Sequence, residues 1–251
     1  MLAGHDTTAT ALTYALWALG HHPDFQDRVA AETAAIGDRE LTPEDVPRLG
    51  YTVQVLREAL RLQPPAAGVA RLATRDIAVA GYRVEAGTLM AVGIYALHRD
   101  PALWPRPLDF DPDRFSAEAS KGRDRWHFIP FLAGPRSCIG EHFAMLETTL
   151  AMATIIRSIE IRSVGQDFPV AVPFTTVADG CAELGARQQH RLLDRHPRED
   201  RTPQALHGLR RVGLRHHARI GQLERLAVAA HPPASSRHDV LEPVPVRPVR
   251  E

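Results

Sequence analysis

The stretch "FIPFLAGPRSCIGEHFAMLE", Phe128 to Glu147, gathers residue types that could hold a metal. Cys138 is one of 2 cysteines in 251 residues, and it sits in a short loop that feeds an apolar, helix-like run. Gly134 and Gly140 admit backbone angles and close approach that a Cβ forbids, while Pro135 stiffens the turn. A helix starting near Gly140 aims its first amides back at the sulfur, which lowers the thiol pKa and favours the thiolate. Phe131 can screen the sulfur from water, and Arg136 supplies a fixed cation for an acidic group nearby. A thiolate with amide donors and an adjacent cation suits an axial ligand to haem iron, with Arg136 on a haem propionate. Read alone, the cysteine fits a buried structural role equally well, which is the usual fate of a lone Cys.

Two further clusters stand out. "AGHDTT", Ala3 to Thr8, puts a glycine, an acid and two threonines into a run that is otherwise apolar. Packing alone would favour Leu or Ala there. The cluster reads either as a capped helix start, with Asp6 or Thr7 as N-cap, or as a polar notch in a buried helix. "REALR" holds Glu58 and Arg61 at i,i+3 on one helix face, by itself the pattern of a solvated surface pair.

The elements that must position these residues can be read from periodicity. Leu2 to Leu19 is apolar around most of its girth and reads as a buried helix. Pro23 opens a second helix and Gly37 follows its end. A third runs from about Leu49 to Leu62, stopped by Pro64 and Pro65. From Ala70 to Ala91 the period changes to two around Gly81 and Gly87, the mark of short strands and turns. Residues 98–130 are rich in Pro, Asp and Arg with scattered aromatics, an irregular segment that side chains must hold. Gly140 to Ile159 is helical again, and the stretch to Gly180 reads as strands and turns. The fold class is mainly α with small β elements.

Composition bounds the function. Apolar residues make up 44% of the chain, enough for a real core, and two cysteines exclude a disulfide framework. No run approaches the roughly 20 apolar residues of a membrane span, and no signal peptide opens the chain, so the expectation is a soluble cytoplasmic protein. The basic residues are 29 Arg and a single Lys, Lys121, a bias that points to GC-rich coding DNA. Residues 1–180 carry 17 basic and 22 acidic groups, a balance of −5; residues 181–251 carry 13 and 8, a balance of +5. That second part has no Phe, Tyr or Trp and no sustained apolar period. The expectation for it is disorder or local helix, since too little apolar surface is present to offset chain entropy. A basic tail could bind nucleic acid, but no aromatic interleaving or nucleic-acid motif accompanies the charge.

The pattern Phe131-x-x-Gly134-x-Arg136-x-Cys138-x-Gly140 strongly resembles the cysteine loop of the haem-thiolate monooxygenases, the cytochrome P-450 family. "FDPDRF", Phe110 to Phe115, resembles that family's Pro-Glu-Arg-Phe element, with Asp113 in the glutamate's place. The resemblance implies that Arg114 joins Glu58 and Arg61 in a buried cluster behind the haem. It also makes Leu2–Leu19 the distal helix crossing the haem face. Thr7 is then the distal threonine, able to bond the Ala3 carbonyl and open the helix locally, and Asp6 is the acid beside it. The pair would serve proton delivery toward dioxygen, while the Cys138 thiolate lends electron density that promotes O–O cleavage. Arg71 resembles a second propionate-binding arginine. "PPAAGVA", Pro64 to Ala70, would line the substrate pocket, and His98 reads as a satisfied structural histidine.

The implied cofactor is haem b (iron protoporphyrin IX). The implied partners are O2, an apolar small-molecule substrate and, in the bacterial kind, a ferredoxin with its reductase. The resemblance covers residues 1–180, the C-terminal portion of that fold; family members have a further N-terminal half, absent here, and Met1 falls inside the distal helix. It stops at Cys181. The expectation is therefore a truncated gene product with a shifted reading frame after about Gly180, and a non-catalytic remnant is the alternative to a working monooxygenase.

Overall fold

In the computed structural model, helices and strands follow the periodicities closely. The structure describes residues 2–163, Phe168, and the segments 170–171, 177–178, 183–188 and 210–213. By their contacts these residues fall into two units, one of residues 2–68 with 93–213 and a second of residues 69–92.

Among the described residues, the larger unit is built on four longer helices and a single-turn one. α1 (Leu2–His21) is buried along its second half only, where Ala11, Ala15, Leu16, Ala18 and Leu19 form the apolar stripe. Residues 4–9 are half-buried to exposed, so the burial expected along the whole helix begins only at Thr10. α2 (Pro23–Ala34) starts at its proline, and Gly37 beyond it takes φ +94, a conformation that a Cβ would strain. α3 (Gly50–Leu62) is capped from a distance. The Glu32 carboxylate of α2 accepts from Tyr51 N at 2.7 Å and Thr52 N at 2.9 Å, a negative group at a helix N-terminus. α4 (Ile94–Leu97) is one turn, and α5 (Glu141–Ser158) is the long helix that the cysteine loop feeds. Leu19, Val29, Val55, Leu56, Met152 and Ile156 meet in one core between α1, α2, α3 and α5.

In the smaller unit, β2 (Ile77–Val79) and β3 (Tyr82–Val84) form an antiparallel hairpin closed by Ala80 and Gly81. Both closing residues have positive φ, as a two-residue hairpin turn demands. β1 (Gly68–Leu72) pairs with β4 (Leu89–Gly93), and Gly87 turns at φ +87 between them.

β5 (Ile159–Ser163) leaves α5 and lies against α1. Gln26 of α2 acts as a surrogate strand for it: Gln26 Nε2 donates to Ile161 O at 2.9 Å, and Ile161 N donates to Gln26 Oε1 at 2.7 Å. β6 (Val170–Ala171) pairs with β7 (Val177–Ala178). β5 also pairs antiparallel with β8 (Glu183–Gln188), which pairs in turn with β9 (Arg210–Gly213). Strand pairing thus continues past Gly180, where composition points to disorder or local helix. A ladder is made by backbone groups and does not require large apolar side chains. The rest of the 181–251 segment, Cys181 and the proposed frame shift included, lies outside the described residues.

α1 and β5 approach most closely at Gly20. A Cβ there would stand 2.4 Å from Ser163 Oγ and 2.6 Å from Ser163 N, and Ser163 Oγ already donates to Trp17 O at 2.6 Å. Because a backbone nitrogen is in the way, rotation of one side chain cannot relieve the clash. Gly20→Ala is expected to destabilise the chain by about 1–3 kcal/mol, read as a lowered urea midpoint with unchanged slope.

Candidate functional site

Glu58 and Arg61 are both completely buried on α3. Arg61 Nε and Nη2 donate to the two Glu58 oxygens at 2.7 Å each, a bidentate pair. The other guanidinium hydrogens go to the carbonyls of His98 at 2.9 Å, Pro107 at 2.7 Å and Asp109 at 3.1 Å. All five donors of Arg61 are therefore used. Burial pushes the Glu58 carboxyl up, against the lowering pull of the Arg61 hydrogen bonds and charge. Glu58 Oε1 also accepts from Asp111 N at 2.9 Å, and Arg114 Nε stands 3.4 Å away from it. Arg114 in turn donates to Arg106 O at 2.8 Å. An irregular segment lacking ladder partners is thus tied to one helix by its carbonyls and amides. The i,i+3 pair, which by spacing alone reads as a solvated surface pair, is buried beside Arg114, as the family resemblance implies.

Asp113 departs from the cluster. Arg28 of α2 holds it bidentately at 2.8 and 2.7 Å, and these bonds lower the Asp113 carboxyl pKa. Arg28 also lies 3.7 Å over the Tyr51 ring. Arg123 was missed in the sequence as well: it sits 4.7 Å over the buried Trp104 ring and donates to Arg114 O. One arginine among 29 carries no local signal for such a role.

His98 follows α4 and is fully buried. Its ring stands 5.2 Å from the Phe128 ring, and its Nε2 accepts from Ile129 N at 3.0 Å. Burial, reinforced by the charge of Arg61, lowers its pKa to about 4. Leu132 N donates to Ile129 O at 3.0 Å, closing a turn, and Cys138 N donates to Phe131 O at 2.8 Å. Gly134 sits at φ +72 in this loop. Gly140, at φ −92, is the N-cap of α5 and uses no special angle. A Cβ on Gly140 would touch Cys138 Sγ at an ordinary 3.9 Å.

Cys138 itself is exposed, and so is Arg136. Phe131 is half-buried; its ring lines a cleft of about 430 Å³ shared with Arg57, His142 and Met145 of α3 and α5. The thiol is therefore open rather than screened. Arg136 has no hydrogen-bond or ionic partner among the described residues.

Asp6 and Thr7 lie within α1, which runs unbroken from Leu2 to His21. Neither is an N-cap, so the capped-start reading is set aside. Asp6 Oδ1 is 3.2 Å from His5 Nδ1. Arg71 lies exposed on β1 in the smaller unit, donating to Ala70 O at 2.9 Å. Pro64 and Pro65 are buried, and Ala67 O accepts from Tyr95 N at 2.9 Å. The first half of the Pro64–Ala70 segment is packed rather than open.

Comparison with known proteins decides the family. The family model for cytochrome P450 matches residues 1–175. This chain belongs to the cytochrome P450 family. It is 43% identical over 166 residues to human cytochrome P450 4V2, covering 65% of this chain and 32% of that protein. It is 46% identical over 156 residues to cyclooctatin synthase of Streptomyces melanosporofaciens, covering 62% and 34%. Among solved structures, the heme domain of cytochrome P450DA superposes with a TM-score of 0.71 at 32% identity, covering 75% of this chain and 43% of that one. The chain spans about a third of the length of the curated relatives it matches. Those relatives come from animals and from a bacterium, so the resemblance does not assign a bacterial source. Among the described residues, no helix is long and apolar enough to cross a membrane.

Cytochrome P450 proteins bind haem b, and the residues here fit that group. Cys138 offers a soft sulfur donor on an open face that also carries the exposed apolar side chains Ile139 and Phe143. Such a face suits a flat, largely apolar macrocycle, and the unpaired Arg136 guanidinium suits its acidic groups.

Proposed function

We propose that the chain is the haem-thiolate portion of a monooxygenase that inserts one oxygen atom from O2 into an apolar organic substrate. The exposed Cys138 thiol, in the loop that leads into the N-terminus of α5, is the observation that carries this reading. When bound, haem b supplies an iron centre that activates O2 with two electrons from outside the chain. Cys138 would supply the thiolate ligand, Arg136 and Arg71 would pair with the acidic groups of the cofactor, and Phe131, Gly134 and Gly140 would shape the loop around the sulfur. Asp6 and Thr7 would hold and pass protons toward O2. Glu58, Arg61 and Arg114 keep the irregular segment behind the loop in register. Pro64–Ala70 has no polar side chain, which supports an apolar substrate. A ferredoxin and its reductase in the cytoplasm are the electron source in this reading, which requires neither nucleic acid nor a membrane span.

A second reading, a non-catalytic remnant, is favoured by the exposure of Ile139 and Phe143 beside the thiol. The carbon monoxide difference spectrum of the reduced, purified full chain separates the two. A red-shifted, thiolate-type Soret band is expected; failure to take up haem selects the remnant.

A further inference from the structure

The clamp and the sulfur loop come from distant stretches of sequence, yet one residue touches both. The His98 carbonyl accepts from Arg61 Nη1 at 2.9 Å, and its ring accepts from Ile129 N at 3.0 Å. From Ile129 the chain turns through Leu132, which takes φ +64 without being glycine. A side chain in that left-handed region stays there only where its surroundings over-determine it. The turn delivers Phe131 O to Cys138 N at 2.8 Å. Among the described residues, His98 is hydrogen-bonded both to the clamp on α3 and to the segment that leads to the sulfur.

We infer that His98 is a positioning residue for Cys138: its neutral ring accepts the Ile129 amide and thereby holds the turn that sets the direction of the sulfur. This rests on Cys138 being the iron ligand, but the Ile129 hydrogen bond can be read without haem. An acceptor at Nε2 requires the proton on Nδ1, which faces the Leu60 and Arg61 backbone without a well-aligned hydrogen bond. The groups facing the ring are Arg61 from α3, the Leu60 and Arg61 backbone, the adjacent Arg99 and the Phe128 ring. Protonation would remove the acceptor and set a second buried cation beside Arg61. Burial and that charge keep the ring neutral down to about pH 4. Because the unfolded histidine takes up a proton near its ordinary pKa of about 6.5, the stabilisation is present above that pH. It is lost as pH falls through the window from about 6.5 to 4.

The experiment compares the full chain with H98L, which fills the space without an acceptor, and H98Q, which restores one. Amide exchange at Ile129 is expected to be roughly tenfold to a hundredfold faster in H98L and near the parent in H98Q. In haem-loaded protein, H98L should shift carbonyl absorbance from the red-shifted band toward a shorter-wavelength, non-thiolate band, and H98Q should retain the red-shifted one. Unchanged Ile129 protection in a folded H98L overturns the inference. If H98L does not fold, the parent decides. Its Ile129 protection should fall between pH 6.5 and 4 before that of the α5 amides, and simultaneous loss overturns the inference. A parent that takes up no haem sinks the proposed function instead, leaving the exchange measurements to judge His98.

Discussion

Cys138→Ala is expected to abolish the red-shifted carbonyl band completely while leaving the melting temperature of the haem-free chain within experimental error. The two readouts separate because of where the side chain lies. The thiol is exposed, so removing it opens no cavity, and surface substitutions of this kind usually stay within about 0.5 kcal/mol. The contact that shapes the loop, Cys138 N to Phe131 O, belongs to the backbone and survives in alanine. Any Soret band left in the variant would come from another ligand, at shorter wavelength. Retention of the red-shifted band would remove Cys138 from its role. A large fall in melting temperature would instead support a structural cysteine.

The second large effect is expected at the clamp. Glu58→Ala leaves the Arg61 guanidinium fully buried with two of its five donors unpaired, and it takes the acceptor from Asp111 N. Removing one partner of a buried ion pair costs about 3–5 kcal/mol, against a total stability of roughly 5–15 kcal/mol for a typical domain. Equilibrium urea unfolding should show an unfolding free energy lowered by that amount, read from the midpoint at unchanged slope, or a chain no longer folded. The double variant E58M/R61L removes both charges together and should be less destabilised than the sum of the two single variants. Additive losses would mean that the two side chains contribute independently and that the clamp is not a unit. The comparison matters because a buried pair can be stabilising in place and still be worse than a well-packed apolar substitute.

Much of the helical frame was legible in the sequence. Pro23, Gly37 and the paired prolines after Leu62 mark helix ends because proline removes a donor and fixes φ, while glycine tolerates the left-handed turn. The change of period after Ala70 announced the hairpin at Ala80–Gly81 for the same local reason. Burial was less legible. α1 is apolar along most of its length, yet only its second half meets the core, since periodicity reports a face without reporting what packs on it. Arg28 with Asp113, Arg123 over Trp104, and the Gln26 clasp on β5 join positions up to 135 residues apart. No local pattern foretells such pairs.

The sequence by itself determined the family, because Phe131, Gly134, Arg136, Cys138 and Gly140 stand at the spacings of that family's cysteine loop. It also determined that Glu58 and Arg61 share a helix face, since 3.6 residues complete a turn. Only the tertiary structure decided that three donors of the Arg61 guanidinium bind the carbonyls of the irregular segment, and that His98 connects that clamp to the sulfur loop. Hydrogen bonds within a turn are dictated by neighbours in the chain. Whether a charge is buried and whom it meets depends on everything packed around it, and that exists only once the chain has folded.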